Sequence, residues 1–146
     1  MNIYTIGFTQ KSARQFFGLL DSYSISTIVD IRLNNKSQLA GFTKGDDLNY
    51  FLDVICGCNY QHCIEFAPSK DIFDNYKKKI IDWGEYARQY NSLMNSRKAV
   101  QTFMNEFSQL DNICLLCSEP TPERCHRRLF AEMIVASHPE ICVIHI

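Results

Sequence analysis

The sequence predicts an α/β domain of the three-layer, Rossmann-like kind: a mostly parallel sheet of about five strands, with a helical insertion between the third and fourth. Three observations lead there. Short strand-like runs alternate with stretches of helical periodicity. The run Ile113-Cys114-Leu115-Leu116-Cys117 is apolar throughout, as a strand covered on both faces must be. Parallel neighbours need crossover connections, and the right-handed rule places the crossing helices on both sides of the sheet. With 146 residues, 46% hydrophobic and 21% charged, the composition fits one globular domain over 1–146 and not a disordered segment.

Ile3-Tyr4-Thr5-Ile6, closed by Gly7, reads as the first strand. Ser12 and Gln15 have capping-box spacing ahead of Phe16, Phe17, Leu19 and Leu20, which predicts a helix. Ile25 to Ile31 is nearly continuous and β-branched, a second covered strand that ends in Asp30-Ile31-Arg32. After a polar loop, Leu48, Phe51, Leu52 and Ile55 keep helical spacing from Asp46 to about Cys56, where Gly57 stops it. Tyr60 to Phe66 is the third strand. From about 69 to 110 the pattern is helical, with breaks expected near Gly84 and Asn95-Ser96. The Ile113 strand leads into a helix for which Thr121 is the expected N-cap and Pro122 the first residue. Ile141 to Ile146 is the last strand, with Cys142 expected in the core.

Fifteen Lys and Arg against sixteen Asp and Glu give a net charge of −1. No global field draws such a chain onto nucleic acid or anionic lipid, so only local basic patches remain. No apolar stretch approaches the roughly 18 residues of a bilayer span, and no basic segment precedes a signal core. A cytoplasmic protein without a membrane partner is expected. Seven cysteines, an odd number without a signal, point to reduced thiols and not to a disulfide framework.

Ligands of such sheets bind beyond the carboxyl ends of the strands. This gathers Gly7-Phe8-Thr9, Asp30 to Arg32, the segment from Glu65, and Cys117 to Glu119. On a helical wheel the stripe of Leu129, Phe130, Met133 and Ile134 centres about 70° from Leu129, and His126 falls at about 60°, so its imidazole faces the sheet. Cys125, expected in the first helical turn among Arg124, His126, Arg127 and Arg128, stands where a thiolate is favoured. It is the first candidate nucleophile and Cys117 the second. Glu119 and His126 are candidate proton carriers. Thr9, Arg32 and Arg127 are candidate binders of an anionic group, although Arg32 and Asp30 share strand parity and are equally placed to pair.

Other chemistries fit less well. Cys114-x-x-Cys117 lies within a strand, where alternation sends the thiols to opposite faces, unlike a redox pair that opens a helix. Six residues separate Cys117 from Arg124, one more than a tyrosine phosphatase loop has, and Pro120 and Pro122 lack the N–H groups that cradle phosphate. Cys56, Cys58 and Cys63, or Cys117, Cys125 and His126, have ligand chemistry without paired spacings, so no metal site is assigned. Lys77-Lys78-Lys79 among Tyr76, Trp83, Tyr86 and Tyr90 offer a nucleic-acid surface or simply a wet helix face. No motif specifies a cofactor or an oligomeric state.

Tyr4-Thr5-Ile6-Gly7, Val29-Asp30-Ile31-Arg32, the Tyr86 region and above all Cys117-x-Glu119 followed by Cys125-His126-Arg127 resemble the domain-of-unknown-function 488 family (DUF488) over essentially the whole chain. The resemblance implies a small α/β domain with a polar site gathered by these motifs and no established activity. Family members commonly carry Gly-His-Ser or Gly-His-Thr after the first strand, where this chain has Gly7-Phe8-Thr9. The departure implies either that Thr9 and His126 suffice for chemistry or that the protein has moved toward binding. Three functions follow as expectations: an enzyme acting on a small anionic or nucleic-acid-related substrate, a nucleotide or nucleic-acid binding module, and a structural metal protein.

Overall fold

The first strand, β1 (Asn2–Gly7), alternates its side chains between two cores, Ile3 toward one and Tyr4 and Ile6 toward the other. The same alternation sends Leu115 one way and Cys114 and Leu116 the other in β4 (Ile113–Cys117), as uninterrupted apolar runs in a doubly covered sheet require. In this computed structural model residues 1–36 and 40–146 are described. Residues 37–39 of the polar loop expected after the second strand lie outside them.

The sheet is all parallel, in the order β3-β2-β4-β1-β5, with β2 at Thr27–Asp30, β3 at Asn59–His62 and β5 at Cys142–His145. Helices flank both faces, giving the three-layer Rossmann-like α/β arrangement. Helix α1 (Ala13–Ser22) begins at the expected capping box: Ser12 accepts from the Gln15 N–H and the Gln15 side chain accepts from the Ser12 N–H. Its Phe16, Phe17 and Leu20 join Leu48 of α2 (Gly45–Phe51) in the second core.

Between β3 and β4 run α3 (Lys70–Lys77), α4 (Trp83–Ser96) and α5 (Ala99–Phe107), which build the first core with α6 (His126–Ser137). Because β4 inserts between β2 and β1, three carboxyl ends converge at the centre of the sheet. No described helix is long and apolar enough to cross a membrane.

Several boundaries differ from the sequence pattern. The third strand ends at His62, and a 3-10 turn, Ile64–Phe66, folds Phe66 into the core. The segment after α2 widens to i+5 hydrogen bonding over Leu52–Cys56 before Gly57, at φ 59°, closes it in the left-handed region glycine favours. Gly84 lies inside α4; the breaks fall before Trp83 and at Arg97–Lys98, where Lys98 has φ 53°. Cys142 is exposed because β5 is an edge strand. The largest difference is α6, which starts at His126 with Cys125 as its N-cap, while Thr121 and Pro122 lie in an irregular loop.

Candidate functional site

Cys117 is the last residue of β4, and strand alternation turns its sulfur toward α6, opposite to Cys114. His126, the first residue of α6, is 6% exposed and points inward. Its Nε2 lies 2.8 Å from the Ile31 carbonyl oxygen. A carbonyl only accepts, so Nε2 carries the proton and Nδ1 presents a lone pair. Nδ1 lies 3.4 Å from the Tyr86 hydroxyl and 3.6 Å from the Cys117 sulfur, which is also 3.7 Å from Nε2. Tyr86 and Tyr90, both buried on α4, wall the imidazole from the far side; the Tyr90 ring centroid is 5.5 Å from that of His126.

The loop from Ser118 to Cys125 folds back over this end of the sheet. The Thr9 N–H donates to the Ser118 carbonyl at 3.1 Å, and Arg127 Nη1 donates to the Glu119 carbonyl at 2.6 Å. Arg127 Nη1 also donates to the Cys125 sulfur at 3.4 Å. Arg127 is 1% exposed, and among the described residues no carboxylate forms an ion pair with it. A buried cation in that position is stabilised by negative charge on the adjacent sulfurs.

Burial raises the cost of a Cys117 thiolate, but the Cys125 thiol, the N–H groups of Ser118 and Glu119, and Arg127 outweigh it. The Cys117 thiol lies below its ordinary value. Cys125 goes the other way: burial, reinforced by the neighbouring Cys117 sulfur, pushes its thiol well up. Of the two thiols, Cys117 thus gives up its proton the more readily. The physical reason is the late start of α6, which puts Cys125 at the cap, 2% exposed and without a capping bond from its side chain.

Cys117, Cys125, His126 and Arg127 thus meet at one sheet end, with the Glu119 carbonyl on Arg127. The family model described as domain of unknown function DUF488 matches residues 12–134. The chain belongs to the DUF488 family. No curated protein and no solved structure matches it.

Of the residues expected at the DUF488 site, Cys117, Cys125 and His126 converge, their ligand atoms all within 4.8 Å of one another, and Arg127 joins them. Glu119 contributes its backbone, while its side chain is exposed and Arg127 holds its carbonyl, not its carboxylate. Arg32 stands apart. Its guanidinium is bidentate to Asp30 at 2.8 and 2.6 Å and donates to the Thr43 carbonyl at 2.8 Å. Phe8 is buried beneath that guanidinium at 5.3 Å.

Thr9 is exposed and lines an open groove of about 650 Å³ with Lys11, Arg14, Gln15, Pro120 and Thr121. This groove adjoins the loop over the sulfurs; the sulfurs do not line it. Burial, and then Arg127, lowers the Lys11 ammonium below its ordinary value.

Tyr86 and Lys11 were not singled out as site residues from sequence. Tyr86 had a signal, since Tyr86, Tyr90 and Met94 form the buried stripe of α4 at four-residue spacing. Lys11 had none. The aromatic residues near Lys77–Lys79 are largely used internally, with Trp83 stacked on Tyr86 at 5.2 Å and Tyr86 and Tyr90 buried.

Proposed function

We propose that this DUF488 protein is a thiol-dependent enzyme in which Cys117 is the nucleophile and His126 Nδ1 takes and returns its proton. The carrying observation is the Cys117 sulfur 3.6 Å from an imidazole nitrogen that the Ile31 carbonyl holds unprotonated. Arg127 supplies the counter-charge. The substrate class is a small anion of nucleotide size or the end of a nucleic-acid strand. It would lie in the groove where Lys11 and Arg14 have no ion-pair partner among the described residues, a hollow within the ~300–1,000 Å³ range of small-molecule sites. Glu119, which precedes the lining residue Pro120 in the chain, is the second proton carrier.

The test is the pH profile of Cys117 alkylation by iodoacetamide, read by peptide mapping. The inflection reports ionisation independently of how slowly the reagent enters. It should fall below that of an ordinary thiol and move up in His126→Gln and Arg127→Met. A profile like that of a free thiol overturns the nucleophile. Nucleoside monophosphates should slow the alkylation, and Lys11→Ala with Arg14→Ala should abolish the protection. Binding of nucleotide without an ionised Cys117 would leave a non-catalytic binding module.

The mutual spacing of Cys117, Cys125 and His126 also favours a second reading, a soft metal ion held by two sulfurs and one nitrogen. The Ile31 carbonyl on Nε2 is the kind of outer partner that orients a ligating histidine. Elemental analysis of protein purified without chelator decides it: zinc well below one equivalent excludes this reading.

A further inference from the structure

The proposed enzyme uses one sulfur, yet the site holds two. Cys125 Sγ lies within 4.8 Å of Cys117 Sγ. It accepts an N–H from Arg127 at 3.4 Å. The guanidinium and the two sulfurs thus stand together in one enclosure, and no catalytic step above requires Cys125. Other cysteines are differently placed. Cys58 and Cys63 are buried with no cation beside them, and burial pushes both up to about 12. Cys114 is buried on the other face of the sheet.

We propose that Cys117 and Cys125 form a dithiol centre that reduces small hydroperoxides, with Cys125 as the thiol that closes the disulfide. This rests on the reading of Cys117 as the nucleophile and adds an activity to it. The enclosure, 4% exposure for Cys117 and 2% for Cys125, is of a size for hydrogen peroxide or a short alkyl hydroperoxide.

The chemistry balances without a metal or cofactor. Cys117 gives its proton to His126 Nδ1, and the thiolate attacks the terminal peroxide oxygen. A sulfur–oxygen bond forms, the oxygen–oxygen bond breaks, and the departing alkoxide or hydroxide takes the imidazolium proton as alcohol or water. Cys117 is then a sulfenic acid. Cys125 sulfur attacks it, the sulfur–sulfur bond forms, and the hydroxyl leaves with the Cys125 proton as a second water. The peroxide is reduced by two electrons and the two thiols are oxidised by two. A dithiol reductant restores the pair by exchange.

Trypsin cleaves after Lys98, Arg124 and Arg127, so the two sulfurs fall on different peptides, 99–124 and 125–127. Reduced full-length protein is treated with one equivalent of hydrogen peroxide, free thiols are blocked, and the digest is examined by mass spectrometry. The expected product is the two peptides joined, lighter by two hydrogens, with fragmentation placing the bond at Cys117 and leaving Cys114 blocked. In Cys125→Ser, which replaces only the sulfur, dimedone trapping of the sulfenic acid should rise on the order of tenfold over the native protein, since no thiol remains to condense with it.

Absence of the joined peptides in the native protein overturns the proposal without recourse to any variant, as does a disulfide through another cysteine. If the iodoacetamide profile still shows an ionised Cys117, only the dithiol activity fails. A free-thiol profile removes the nucleophile as well.

Discussion

Asp30 and Arg32 are 0% and 3% exposed and joined at 2.6 Å, with the Tyr60 hydroxyl donating to the same carboxylate at 2.7 Å. Sequence parity left Arg32 free either to pair or to hold a substrate anion, and burial decides between them. A guanidinium whose donors go to Asp30 and the Thr43 carbonyl positions the loop after β2 and, through that loop, the Ile31 carbonyl that fixes His126. Arg32→Met should cost roughly 3–5 kcal/mol in urea denaturation, because it strands a buried carboxylate. Arg32→Met combined with Asp30→Leu should recover most of that loss. If the single variant loses nucleotide protection of Cys117 but keeps its stability, Arg32 binds ligand after all.

At the scale of elements, the site depends on how the end of β1 meets the loop between β4 and α6. A Cβ on Gly7 would lie 1.7 Å from the Glu119 carbonyl oxygen and 2.9 Å from Arg127 Nη1. The first contact is backbone, so a side chain there must displace the loop that carries the Ser118 and Glu119 N–H groups. Gly7→Ala should therefore destabilise the fold by at least the ~1–3 kcal/mol of an overpacked site. It should also move the Cys117 alkylation inflection up toward that of an ordinary thiol. An unchanged inflection in a folded Gly7→Ala would show that the N–H groups do not matter to the thiolate.

The same loop marks where the sequence stopped being legible. Local rules place a helix start at Thr121-Pro122, and they worked at Ser12, whose partner lies three residues away. Here the partners are distant: Thr9 holds Ser118, and Arg127 holds Glu119. These long-range bonds keep 118–125 out of the helix, and no windowed pattern contains them. The inward face of His126 was legible because it depends only on the α6 stripe. The relative ionisation of Cys117 and Cys125 was not, because it depends on the loop.

At the scale of the whole molecule, two cores share one sheet, and both bury thiols that must stay protonated. Burial, with Cys56 nearby, pushes Cys58 up to about 12, and burial with Glu65, Glu106 and Asp30 does the same to Cys63. Cys114 and Cys125 are raised well above the ordinary 9.0, and burial raises Tyr86 and Tyr90 likewise. Each such group keeps its proton in the fold and releases it on unfolding once the pH passes the unfolded value. Stability from them is complete below that value and falls as pH rises toward the folded one, by up to about 1.4 kcal/mol per pH unit per group. Cys117 has the opposite sign: its lowered value gives stability that is full above the ordinary thiol value and is lost as pH falls through the folded one. One rising contribution cannot offset several falling ones, so stability should drop steeply from about pH 9 upward. Urea denaturation under reductant at pH 8 and pH 10.5 measures it. Cys58→Ala with Cys63→Ala should flatten the alkaline slope by the share of two protons, whatever the cavities cost at pH 8. A native protein equally stable at both pH values would mean that water reaches these sulfurs, and the two-core packing that encloses Cys117 would have to be opened with them.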